Sequence, residues 1–212
     1  MDWTALPPHG PGQAIGLLGG SFNPAHAGHR HISLIALKRL KLDNIWWLVT
    51  PGNPLKDNDG LPPIDERIAQ ARRIANHPRI KVTGIEAQLG TRFTADTLTR
   101  LKRRAPSLHF VWLMGADNLA GFHRWDRWRG IAEALPIAVI DRPGYTQSAL
   151  TATAADALVR FRIDESDAPL LARREAPAWV FLFGPRSQLS STALRASSAL
   201  MERENGVKSV YD

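Results

Sequence analysis

Six short, almost unbroken apolar runs, each followed by a segment with helical apolar spacing, constrain this chain more than any other feature. The runs cover residues 14–18, 44–49, 80–85, 108–114, 137–140 and 179–183; the helical segments cover 27–40, 65–76, 94–104, 127–135, 147–160 and 191–204. A strand that does not alternate with polar residues must be buried on both faces, which is the condition of a parallel sheet with helices on each side. The expected fold class is therefore α/β, a doubly wound, mainly parallel sheet, in one domain from residue 14 to residue 212. Residues 164–177 are polar and contain proline, and read as a surface excursion. Residues 1–13 carry Pro7, Pro8, His9, Gly10, Pro11 and Gly12 with neither a basic start nor an apolar stretch. They read as a loose tail and not as a signal peptide. In such sheets ligands gather beyond the carboxyl ends of the strands, where the strand order reverses.

Cysteine is absent, which excludes disulfides, thiolate nucleophiles and cysteine-based zinc sites. A reducing compartment, the cytoplasm, is expected. Lys or Arg interrupts every long apolar stretch, so no run reaches membrane-spanning length and no membrane partner is expected. The 27 Lys and Arg against 20 Asp and Glu give a formal charge of +7, which favours anionic partners. Arg72-Arg73, Arg103-Arg104 and Arg173-Arg174 are scattered pairs, not a dense tract, which argues against nucleic acid. The sequence leaves both a monomer and a homo-oligomer open.

Two segments carry the chemistry. The first, Gly19-Gly20-Ser21-Phe22-Asn23-Pro24-Ala25-His26-Ala27-Gly28-His29, joins the first strand to the first helix, where a phosphate site belongs in this architecture. Gly19 and Gly20 would let the backbone approach an anion. His26 and His29 are three apart and share one face of the first helical turn, from which two imidazoles can donate to a phosphate. A metal-binding pair is the competing reading, with no third ligand nearby. The second segment, Leu189-Ser190-Ser191-Thr192-Ala193-Leu194-Arg195, opens the last helix with three hydroxyls beside free amides, and Arg195 follows one turn in. Alone it reads equally well as an ordinary helix cap with a solvated arginine.

Together the segments resemble the two signatures of the nucleotidyltransferase superfamily, His-x-Gly-His and Ile-Ser-Ser-Thr-x-Ile-Arg, with Leu189 and Leu194 in place of the isoleucines. Further stretches resemble nicotinate-nucleotide adenylyltransferases. They are Gly115-Ala116-Asp117-Asn118-Leu119 with Phe122 and Trp125, Thr94-Ala95-Asp96-Thr97-Leu98 after Phe93, and Arg142-Pro143-Gly144-Tyr145. In the loop Asn53-Pro54-Leu55-Lys56, Leu55 stands where that family commonly carries histidine.

The resemblance implies a Rossmann-like fold and adenylyl transfer from ATP, with Mg2+, to nicotinate mononucleotide. It implies catalytic roles for His26, His29, Lys56 and Arg195. ATP would be bound by Gly19, Gly20, Ser21, Phe22, Gly115, Asp117, Ser190, Ser191, Thr192 and Arg195. The acceptor would be bound by Asn23, Asn53, Thr94, Trp125 and Arg142. No carboxylate cluster is evident, so the metal would be held by substrate and water. The rival readings are the same chemistry on nicotinamide mononucleotide or pantetheine phosphate, and a non-catalytic nucleotide or RNA-binding module.

Overall fold

The computed structural model describes residues 4–52 and 60–184. Six strands, β1 (Ala14–Gly20), β2 (Asn44–Val49), β3 (Ile80–Thr83), β4 (His109–Gly115), β5 (Ile137–Ile140) and β6 (Trp179–Leu182), form one sheet in the order β3-β2-β1-β4-β5-β6. Every pairing is parallel. The order reverses between β1 and β4, the position where a doubly wound sheet opens a crevice.

Side-chain alternation divides each strand between two cores. Along β4, Phe110, Trp112 and Met114 face one core, and Val111 and Leu113 face the other. The first core is closed by α3 (Ile85–Leu89), α4 (Thr94–Arg104), α5 (Ala116–Gly121), α6 (Trp128–Ala134), α7 (Thr146–Leu150) and α8 (Thr153–Ala157). The second is closed by α1 (Ala27–Arg39) and α2 (Ile64–Ala75).

Three segments differ from expectation. The run over residues 80–85 stops as a strand at Thr83; Gly84 caps α3, and Ile85 enters the core from that helix. Residues 147–160 are not one helix. Ala152 is extended (φ −68°, ψ 149°), which splits α7 from α8, and a 3-10 turn, Val159–Phe161, follows. Residues 164–177 are more than an excursion. Glu165–Arg173 winds as a 3-10 helix, capped by Asp164 accepting from Ser166 N at 2.8 Å, and buries Ala168, Leu171 and Ala172 against the second core. Polar composition concealed an apolar stripe of small residues.

The chain before β1 makes specific contacts from Thr4 onward. Thr83 Oγ1 donates to Ala5 O at 3.2 Å, Leu6 packs on the first core, His9 lies 5.7 Å from the Trp46 ring, and Gly12 N donates to Ser107 O at 2.8 Å. Among the described residues no helix is long and apolar enough to cross a membrane.

Candidate active site

The turn after β1 delivers His26 and His29 to the start of α1. His26 is extended (φ −148°, ψ 167°) and acts as the helix cap. Its Nδ1 accepts from Gly28 N at 3.1 Å, and the Nδ1 of His29 accepts from His26 N at 3.2 Å. With both Nδ1 lone pairs engaged, the proton of each neutral ring sits on Nε2. Burial and, after it, the positive charge of Arg142 bring His26 down to about 4, against an opposing pull from Asp117. Burial, His26 and Arg142 bring His29 down to about 3. Near pH 7 the pair is neutral, with two Nε2–H donors and rings 3.8 Å apart.

The pair rests on a rigid floor. Phe22, fully buried at φ 47°, lies against His29 at 4.8 Å and stacks on Trp47 at 5.0 Å. Trp47 Nε1 donates to Ser33 Oγ at 2.8 Å, and that hydroxyl donates to His29 O at 2.9 Å. The side chain of Phe22 thus packs between His29 and Trp47. Gly19 also has a packing reason: a Cβ there would stand 2.6 Å from Trp112 Cη2. The last turn of α1 carries Lys38 and Arg39, and its first turn has no acid, so the helix dipole favours an anion at the histidine end.

Across the switch point, Gly115 ends β4, Asp117 lies in the first turn of α5, and Arg142 follows β5. Arg142 Nη1 donates to Asp117 Oδ2 at 2.8 Å. Asp141, buried, organises the turn that presents Arg142: its Oδ1 accepts from Arg142 N at 2.9 Å and from Thr146 Oγ1 at 2.6 Å. Gly144 sits at φ 79°, so the Arg-Pro-Gly-Tyr turn depends on glycine there. Arg142, expected on the acceptor side, stands beside Asp117, and its charge is felt by both histidines.

On the other flank, Thr94 is the first residue of α4, and the cap, Phe93, supplies no side-chain hydrogen bond. The start of α4 therefore lacks a side-chain acceptor of its own. Asp96 in that turn pairs with Arg127 at 2.8 Å, tying α4 to the segment after Trp125. Trp125 is half-buried, edge-on to Phe122 at 5.5 Å and to Trp112 at 6.3 Å. Asn23 and Ser21 lie in the turn before α1. Asn53, Lys56, Ser190, Ser191, Thr192 and Arg195 lie outside the described residues, as does the expected helix over 191–204.

Two buried charged groups escaped the sequence reading. Arg67 is 3% exposed and hydrogen-bonds to four backbone carbonyls. Its signal was available: Ile64, Ile68, Ala71 and Ala75 mark the inner stripe of α2, and position 67 falls within it. Glu86, in α3, is buried, which raises its carboxyl to about 7; an acid in so short an apolar segment gave no warning. Among the described residues no group of three or more His, Asp or Glu is placed to hold a metal.

Residues 17–197 match the cytidylyltransferase-like family, so fold and strand-end site together define a member of that class of transferases. A protein of Methylorubrum extorquens is 65% identical over 181 residues, covering 85% of this chain and 98% of its own length. One of Bradyrhizobium sp. (strain ORS 278) is 62% identical over 85% of this chain and 94% of its own length. Both are named probable nicotinate-nucleotide adenylyltransferase, and the chain belongs to that family. The fold is also that of the Plasmodium falciparum nicotinic acid mononucleotide adenylyltransferase solved in complex with NaAD. The two share 19% identity with a TM-score of 0.65, over 87% of this chain and 83% of the other.

Proposed function

We propose that this protein transfers the adenylyl group of ATP to nicotinate mononucleotide, forming nicotinate adenine dinucleotide and pyrophosphate. The observation that carries the proposal is the neutral histidine pair with both Nε2–H groups available, set at the start of α1 on the crevice side of the sheet. Such donors stabilise charge developing on phosphate oxygens without a proton transfer. The acceptor's 5′-phosphate oxygen attacks the α-phosphorus of ATP, the new P–O bond forms as the α–β bridge breaks, and pyrophosphate leaves with the electron pair. A phosphate monoester is nucleophilic enough to need no general base, so the site works by positioning and electrostatics.

His26 and His29 serve the reacting phosphates, with Arg142 as a nearby cation. Lys56, Ser190, Ser191, Thr192 and Arg195 complete the phosphate contacts in this reading. Gly115 and Asp117 serve the nucleoside of ATP, together with the backbone of residues 19–22. Asn23, Asn53, Thr94, Trp125 and Arg142 serve the acceptor; the uncapped start of α4 suits a carboxylate. The described residues offer no carboxylate cluster for Mg2+, which would be held mainly by substrate and water and would supply charge neutralisation at the phosphates. Asp117, the carboxylate beside the site, gives its Oδ2 to Arg142, while its buried Oδ1 has no hydrogen-bond partner among the described residues. ATP and the mononucleotide are the partners, and the setting is the cytoplasm.

Pyrophosphate release from Mg-ATP tests this, with nicotinate mononucleotide, nicotinamide mononucleotide and pantetheine phosphate run in parallel. A strong preference for the first is expected. Turnover confined to either of the others would overturn the acceptor, and silence with all three would overturn the reaction.

A further inference from the structure

We propose that Arg67 is a positioning residue for this transfer, holding the turn that carries the histidines in register with the end of β2. The proposal rests on the reaction assigned above. The β1–β2 ladder ends where Thr50 N donates to Gly20 O at 3.0 Å. Beyond that bond the two chains part, one toward His26 and the other toward Pro51 and Gly52. Arg67 takes over at that point. Its Nη1 donates to Ser21 O and Thr50 O, both at 2.8 Å, its Nη2 to Pro51 O at 3.2 Å, and its Nε to Pro62 O at 2.9 Å.

One guanidinium thereby joins three stretches of chain at and beyond the end of the β1–β2 ladder: the turn after β1, the end of β2 and the entry to α2. A buried cation is costly to maintain for stability alone, and here burial presses its pKa downward. Packed hydrophobic residues would close the same gap at less cost. What they could not do is fix four carbonyls at set angles, which a planar fork does and an ammonium does not. The donors that make these bonds point at backbone, so Arg67 acts through the turns it holds. In-line transfer between two substrates is sensitive to their relative placement, and a displacement of about 1 Å can cost about 100-fold in rate.

The test compares wild type with Arg67→Lys and Arg67→Met in the full-length protein. Wild-type turnover, measured first, fixes the acceptor; no turnover with any acceptor would overturn the reaction assignment and this proposal with it. Given an active wild type, Arg67→Lys is expected to keep its circular dichroism spectrum and to lose less in ATP affinity, read by calorimetry, than it loses in kcat. Its kcat should fall by about 10- to 100-fold, with Arg67→Met falling at least as far. A kcat within about 2-fold of wild type in a folded Arg67→Lys would overturn Arg67's role and leave the reaction standing. So would a rate loss matched by an equal loss of ATP binding, or a failure of both variants to fold, since either would make Arg67 a structural residue only.

Discussion

Arg142 reaches from the end of β5 to the first turn of α5 and donates to Asp117 at 2.8 Å. Gly115 makes room for the pair: a Cβ there would overlap Asp117 Oδ1 and stand 3.2 Å from Arg142 Cδ. Burial holds His26 and His29 below the ordinary imidazole range, and the positive charge of Arg142 adds to that lowering at both. Arg142→Met is therefore expected to raise the titration of both rings, most at His26, and to lower turnover about 10-fold or more. Proton NMR of the imidazole Cε1–H signals reads the first effect; ring titrations identical to wild type would refute the coupling.

The histidines also set a pH dependence. Their folded values, about 4 and about 3, lie below the ordinary 6.5 of the unfolded chain. The unfolded state therefore takes up protons first as pH falls. Their contribution to stability is complete above pH 6.5 and declines from there toward pH 3–4. At pH 5 the loss is on the order of 2 kcal/mol per ring. His29→Asn should show a correspondingly smaller decline between pH 7.5 and pH 5 in urea denaturation. An unchanged decline would contradict a buried, neutral His29.

Glu86 has the opposite sign. Burial raises its folded carboxyl to about 7 against the ordinary 4.5, so the unfolded chain loses its proton first as pH rises. Stability attributable to this group falls between pH 4.5 and pH 7 and stays low above. Glu86→Gln should stabilise the protein at pH 8 by up to about 3 kcal/mol and gain little at pH 4.5. Thermal unfolding at the two pH values checks this, and a gain of equal size at both would exclude titration as the cause.

Gly19→Ala should destabilise by about 1–3 kcal/mol, because the new methyl meets the Trp112 ring at 2.6 Å in a packed core. Adding Trp112→Phe should recover part of the loss. A Gly19→Ala protein as stable as wild type would show that the glycine serves the ligand side alone.

Much of this was legible from residue order. Nearly unbroken apolar runs such as 108–114 point to burial on both faces, and the sheet is parallel throughout its described strands. The failures share a cause. Where the local pattern is short, as at Ile85, or small and polar, as over 164–173, its meaning depends on which surface it meets. The run over 147–160 broke because Ala152 is buried at a turn, a fact of packing and not of propensity.

The same division runs through the site. The sequence by itself determined the order of elements, the class of fold and the segment that bears His26 and His29, because those follow from periodicity and from residue types only a few positions apart. Only the tertiary structure decided that Phe22 supports His29 from below and that Trp112 requires Gly19. It also decided that Arg142 pairs with Asp117 and that Arg67 binds Ser21, Thr50, Pro51 and Pro62. Most of these relations join residues far apart in the chain. Their distances, and the burial that sets the charge state of each group, exist only once the sheet has closed.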